Sequence, residues 1–188
     1  MPYEPDGTAA AADDTSPFAH RLADRFLDDY VPGLTLEHGS YRVTAEEIVD
    51  FGRRFDPHDM HVDAERAEAT PLGGLVASGW HTTAVMMRLM VESYLNQGAS
   101  VASPGVDELR WSAPVHPDDV LRARFTVVDA RPSASRPDRG VVRTRIELVD
   151  QHDRAVMTQV MTNLVLRRPD AEAPDAERRP ARPRRTAD

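Results

Sequence analysis

The chain has 188 residues with a formal net charge of −8, 40% of them hydrophobic and 29% charged, which favours a single folded domain on the usual scale of roughly 100–200 residues per domain. The absence of cysteine excludes disulfide frameworks, thiolate nucleophiles and Cys-ligated zinc or iron–sulfur sites. The 23 basic residues, all arginine, are outnumbered by 31 acidic ones, which argues against a nucleic-acid binder that relies on a broad positive footprint.

Residues 1–16 are rich in Ala, Asp, Thr and Pro and nearly free of large apolar side chains, so a flexible N-terminal tail is expected there. The start has neither the basic n-region nor the apolar stretch of a secretory signal, and a cytoplasmic protein is expected. Phe18, Leu22, Phe26 and Leu27 recur at helical spacing and predict a short amphipathic lead-in, ended by Pro32-Gly33. Leu34 to Val43 alternates loosely around Gly39 and reads as a strand with a bulge.

Thr44-Ala45-Glu46-Glu47 has the spacing of a capping box, so a helix begins there with Ile48, Phe51 and Phe55 on one face. Asp56-Pro57 ends it, because the residue before a proline is disfavoured in the helical region. Asp63 can cap a second helix over 64–69. A small-residue run, Leu72-Gly73-Gly74-Leu75-Val76-Ala77-Ser78-Gly79, leads into a longer helix from about Trp80 to Asn96. Trp80, Val85, Met86, Leu89, Met90 and Leu95 leave that helix little polar face, so most of it should be buried. Its charges at Arg88 and Glu92 argue against a membrane span.

From Val106 the texture changes to four β-like runs, Val106–Ser112, Val120–Ala130, Val141–Val149 and Ala155–Leu166, separated by turn-forming sequences. Consecutive strands imply an antiparallel sheet, and one sheet wrapped around the buried helix gives an α+β architecture over residues 17–168. Residues 169–188, which include the run Arg178 to Arg185, alternate Arg, Pro, Asp and Ala and read as a disordered, solvated tail.

Carboxylates and imidazoles crowd Phe55-Asp56-Pro57-His58-Asp59-Met60-His61-Val62-Asp63, expected as a loop between two helices, the kind of segment on which catalytic residues tend to sit. The turn at Pro57 sets Asp56 and His61 to converge on one water as an acid/base pair; the plainer readings are a helix-terminating aspartate and an exposed loop histidine. Ser78-Gly79 stands where the glycine-containing run enters the long helix. The first amides of a helix lack internal partners and lie at the positive end of its dipole, so they are suited to hold a carbonyl oxygen as charge develops on it.

His58, His61, Asp56, Asp59 and Asp63 also carry metal-ligand chemistry, but they match no recognised metalloenzyme spacing. Gly73-Gly74 lacks the lysine and the strand–helix context of a phosphate loop, and Gly74 is read as a flexible wall of the pocket. Trp80, Met86, Met87 and Met90 fit either an acyl tunnel or core packing. Arg110 and Trp111, adjacent on a strand, should face opposite ways, Arg110 toward a ligand phosphate or toward solvent.

Phe51 to Arg88, with Phe-Asp-Pro-His-Asp-Met-His-Val-Asp followed by Gly-Gly-Leu-Val-Ala-Ser-Gly-Trp-His-Thr, resembles the MaoC-like dehydratase family of the hotdog superfamily, which includes (R)-specific enoyl-CoA hydratases. The resemblance continues through Val106–Trp111 and Pro114–Asp119 to the later strands and covers about residues 32–168. It implies a hotdog fold, the long helix as sausage and the sheet as bun. It implies a hydro-lyase that adds water to an enoyl-CoA and needs no cofactor.

The family's loop typically reads Asp-x-Asn-Pro-x-His, whose aspartate and histidine map onto Asp56 and His61. Here His58 stands at the asparagine position and Asp59 at the proline position. The family's thioester-binding amide maps onto Gly79, and Ser78 replaces a histidine common in short hydratases; His58, Ser78, Trp80 and Gly74 are candidate substrate-binding residues. The resemblance further implies a homodimer or dimer of dimers, with neither nucleic acid nor membrane as partner. A hotdog thioesterase and a non-catalytic acyl-thioester-binding subunit are the alternatives, the latter motivated by His58 and Asp59.

Overall fold

The computed structural model describes residues 16–169. The expected tails, apart from Ser16 and Pro169 at their inner ends, and the arginine-rich run 178–185 lie outside the described residues.

Two 3-10 turns, Leu22–Asp24 and Leu27–Asp29, are followed by β1 (Thr35–Arg42), α1 (Ala45–Phe55), α2 (Asp59–Val62), α3 (Ala64–Glu68) and α4 (Gly79–Ser93). Four strands complete the domain: β2 (Ser100–Trp111), β3 (Val120–Pro132), β4 (Arg139–Val149) and β5 (Ala155–Leu166). All pairings are antiparallel and the sheet order is β1-β3-β4-β5-β2. β2 begins six residues before the predicted Val106, and β1 carries its expected irregularity between His38 and Tyr41, with Gly39 at φ +109°.

β3, β4 and β5 alternate buried and half-buried residues, the period-two pattern of a sheet with one face on a core. Leu121, Phe125, Ile146, Leu148 and Met157 on the strands are sealed together with Met86, Leu89, Met90 and Tyr94 of α4 and its C-terminus. Each such side chain contributes about 1.5–3 kcal/mol through its removal from water. Tyr94 stacks on Phe125 at 4.9 Å, and its hydroxyl bonds the buried Thr144 hydroxyl at 2.9 Å. The sheet therefore curls around α4, as expected. Met86 and Met90 belong to this core.

Two expectations are corrected. The lead-in is not an amphipathic helix: its two 3-10 turns form a strap across the C-terminal end of α4. Arg25 donates to the carbonyls of Ser93 and Tyr94, and Tyr30 Oη to that of Tyr94, satisfying acceptors that a helix leaves open at its end. Phe55 does not join the buried face of α1, being 63% exposed, and Trp80 is 60% exposed although it opens a mostly buried helix. Arg110 and Trp111 face opposite ways as adjacent strand residues should: the Trp111 ring lies against Gly79 and Thr83 of α4, while Arg110 stands in solvent on β2, an edge strand with a neighbour on one side only.

Among the described residues no helix is long and apolar enough to cross a membrane.

Candidate active site

The site lies where α1 ends, α2 turns and α4 begins. The capping box forms as its sequence dictates: Thr44 Oγ1 accepts from the amide of Glu47 and the Glu47 carboxylate accepts from that of Thr44, both at 3.1 Å. That start sets the helix phase that delivers Asp56 at its C-cap, where φ −151° and ψ 73° turn the chain away. The expected loop is a single helical turn, α2. A methyl at Gly52 would meet the His61 carbonyl oxygen at 2.7 Å, so the missing side chain is what lets α1 and α2 approach and brings His61 beside Asp56.

Both carboxylate oxygens of Asp56 are engaged. Oδ1 lies 2.5 Å from His58 Nδ1, while Oδ2 accepts from the Ser78 hydroxyl at 2.7 Å and stands 3.5 Å from His61 Nε2. The Ser78 hydroxyl also accepts from the amide of Trp80 at 3.2 Å, so one side chain caps α4 and holds the carboxylate. The Ser78 hydroxyl, His58 and the nearby His61 keep the Asp56 carboxyl below the usual carboxylate range, against the opposing effect of partial burial. Asp56 is accordingly ionised at neutral pH, and both of its oxygens are hydrogen-bond acceptors.

The His61 ring is buried, and its Nδ1 is 2.7 Å from the Val76 carbonyl oxygen. A carbonyl only accepts, so Nδ1 carries the proton, and Nε2 of the neutral ring is an acceptor. Asp56 Oδ2 and neutral His61 Nε2 are thus two acceptors across 3.5 Å, an arrangement that receives both hydrogens of one water. With His61 protonated the same atoms form an ion pair.

Gly79 is the first residue of α4, and no hydrogen bond among the described residues uses its N–H. A methyl there would meet the Trp111 ring at 2.6 Å. Trp111 in turn donates its indole N–H to Thr83 Oγ1 at 3.2 Å and meets Trp80 edge to face at 5.2 Å. A cavity of about 310 Å³ opens here, and His61, Leu72, Gly79, Thr82, Trp111 and Val115 are among its lining residues. Its walls are mainly apolar, with an imidazole and a free helix-terminal amide available for polar work.

The structure thus brings together Asp56, His58, His61, Ser78 and Gly79. Of these, His61 and Gly79 line the cavity and Asp56, His58 and Ser78 do not; Gly74, which has φ +143° in the approach to α4, Trp80, whose ring meets that of Trp111, and Met86, Met87 and Met90 do not line it either. Sequence reasoning missed Ser78 as a partner of Asp56, 22 positions away, and the wall made by Leu72, Trp111 and Val115. The signal for Ser78 was its place as N-cap, which aims its hydroxyl at the helix entrance. Among the described residues no group of three or more His, Asp or Glu side chains is arranged to hold a metal ion. His81, stacked on Phe51 at 4.9 Å, is held below the usual imidazole range by burial and lies outside the cavity lining.

Residues 30–163 match the family model described as a MaoC like domain. Among solved structures, the MaoC-like dehydratase from Rhodospirillum rubrum is 38% identical with a TM-score of 0.72, over 77% of this chain and 99% of that one. The YdeM protein of Bacillus subtilis is 28% identical over 141 residues, 75% of this chain and 99% of its own. The 3-hydroxyacyl-thioester dehydratase Z of Mycobacterium tuberculosis (strain ATCC 25618 / H37Rv) is 32% identical over 108 residues, 56% of this chain and 72% of its own.

Proposed function

From the premise that this chain belongs to the MaoC-like domain family, matched over residues 30–163, we propose that it is an (R)-specific enoyl-CoA hydratase, adding water reversibly to a trans-2-enoyl thioester. The observation that carries this reading is the pair of acceptors, Asp56 Oδ2 and His61 Nε2, 3.5 Å apart beside a cavity that His61 and Gly79 both line. The name of the mycobacterial relative, a 3-hydroxyacyl-thioester dehydratase, supports the same direction of chemistry.

In the proposed reaction Asp56 and His61 hold one water by its two hydrogens. As the water oxygen bonds to C3, Asp56 takes one proton and the alkene electrons move onto the thioester oxygen. The Gly79 N–H, at the positive end of α4, stabilises the resulting enolate. The carboxyl–imidazole pair then returns the proton to C2, so both hydrogens of the water end in the 3-hydroxyacyl thioester. Acid/base placement and a single oxyanion donor are each typically worth about 10²-fold or more in rate.

The proposal extends to a homodimer formed along β2. This edge strand exposes Val101, Val106 and Trp111 among charged neighbours, and an unpaired edge is open to pairing with a second copy. Its end, at Trp111, lines the cavity, which puts the partner next to the site. Sedimentation equilibrium reads the dimer directly.

The test of the activity is the fall in conjugated-enoyl absorbance when the protein is added to crotonyl-CoA and longer enoyl-CoAs. Cleavage of the thioester also ends the conjugation, so release of free CoA thiol in step with that fall would indicate a thioesterase instead, whereas hydration leaves the thiol esterified.

A further inference from the structure

His58 is the member of the cluster that the proposed reaction leaves unused, and its geometry is specific. Its Nδ1 is 2.5 Å from Asp56 Oδ1, the oxygen not shared with Ser78 and His61. The rest of the ring faces water, the side chain being 71% exposed against 21% for Asp56. The backbone builds this contact: the amide of His58 donates to the Asp56 carbonyl at 2.8 Å, and the His58 carbonyl accepts from the amide of His61 at 2.8 Å. His58 is thereby the N-cap of α2, pinned between the two proposed catalytic residues.

The charges around the ring are few. His61 of α2 presents its ring edge to face at 6.3 Å between centroids. From the entrance of α4 only the neutral Ser78 hydroxyl approaches, through Asp56. The carboxylates of Asp59 and Asp63, on the following turns, are engaged by Arg66 at 3.2 and 3.5 Å. Among the described residues, Asp56 is the sole ion-pair partner of His58.

We infer that His58 is a positioning residue that ties the basicity of the Asp56 carboxylate to the charge on an exposed imidazole, so that hydration slows as His58 takes up a proton. The inference rests on the hydratase reading above. Neutral His58 with its proton on Nδ1 donates to Oδ1 and orients the carboxylate. Protonated His58 makes the same contact but sets a full positive charge beside the base. A carboxylate beside a cation holds a proton less well, and a weaker base removes the proton of water more slowly. Imidazole is the side chain that ordinarily changes charge between pH 5 and 8, and this one is open to solvent. Ser78, the other partner of the carboxylate, is uncharged and lacks this property.

His58→Asn isolates the charge, because the asparagine amide donates to Oδ1 without ever becoming a cation. With the full-length protein and crotonyl-CoA, the wild-type rate is expected to fall roughly threefold to tenfold from pH 8 to pH 5.5, the reduction appropriate to a base weakened by an adjacent, partly screened cation. His58→Asn is expected to flatten that fall when each rate is taken relative to the same protein's rate at pH 8. An unchanged acid limb in His58→Asn would assign the limb to His61 and overturn the inference.

A second measurement is independent of turnover. The carboxyl carbon of Asp56, followed by NMR in aspartate-labelled protein, is expected to titrate at higher pH in His58→Asn than in wild type; an unmoved midpoint overturns the inference. Loss of every enoyl-thioester activity alongside a moved midpoint would count against the hydratase reading and support the His58–Asp56 coupling.

Discussion

The Ser78 hydroxyl donates to Asp56 Oδ2 at 2.7 Å and accepts from the amide of Trp80 at 3.2 Å, so the start of the central helix and the orientation of the proposed base depend on one oxygen. Ser78→Ala is therefore expected to do two separable things. Loss of the cap should cost about 1 kcal/mol of stability, visible as a melting temperature lower by roughly 2–4 °C for a domain of this size. Loss of the bond to Oδ2 should raise the Asp56 titration toward the ordinary aspartate value of about 3.9, visible by carboxyl NMR, and lower turnover.

The sign of the acid response follows from the same contacts. Asp56 has its pKa held down in the folded chain, so it stabilises the fold above the ordinary aspartate range, and that contribution is lost as pH falls through the lowered value. Wild type should therefore resist acid unfolding to a lower pH than Ser78→Ala. Equal midpoints in acid titrations followed by circular dichroism would contradict the contact's role.

Gly79→Ala places a methyl 2.6 Å from two Trp111 ring atoms, closer than side chains pack. The indole must move, giving up its bond to Thr83 Oγ1 and its edge-to-face contact with Trp80. Overpacking of this kind costs typically about 1–3 kcal/mol. Tryptophan fluorescence should change with it, and turnover should fall because the amide shifts relative to the cavity. Unchanged emission and unchanged turnover together would show that neither contact matters.

At the opposite end of α4, Arg25 is 4% exposed and donates to the Ser93 carbonyl at 2.6 Å. Arg25→Met should destabilise the fold by about 1–3 kcal/mol, the usual cost of leaving buried acceptors without donors. Urea unfolding measures this, and the rate per folded molecule should stay near wild type, since the strap sits far along the helix from Gly79.

Much of the architecture was legible in the residues. The capping box at Thr44 and Glu47, the Asp56-Pro57 stop and the alternation of β3 to β5 are local signals, and each produced the element it predicts. Phe55 and Trp80 were misjudged because apolar periodicity marks which residues avoid water and is silent on what covers them. The spacing of Phe18 to Leu27 is helical and predicts an amphipathic lead-in, but Arg25, Tyr30 and the end of α4, 68 and 64 positions away in the chain, hold it in 3-10 turns.

In the site, turn and helix-entry logic points to Asp56, His61 and Gly79, and the resemblance to the MaoC-like family is what gives them their expected roles. The bond between Ser78 and Asp56 spans 22 residues and two helices, and only the folded chain brings the pair together. Gly52 was passed over because a close approach between helices leaves no trace in a glycine's immediate neighbours.

The most direct test of the account compares wild type with Asp56→Asn on crotonyl-CoA, following the loss of enoyl absorbance, with circular dichroism to confirm that both are folded. The substitution keeps the volume and removes the base, so hydration by wild type and a loss of about 10²-fold or more in Asp56→Asn is the predicted result. Wild-type turnover in a folded Asp56→Asn protein would contradict the assignment of Asp56 as the base.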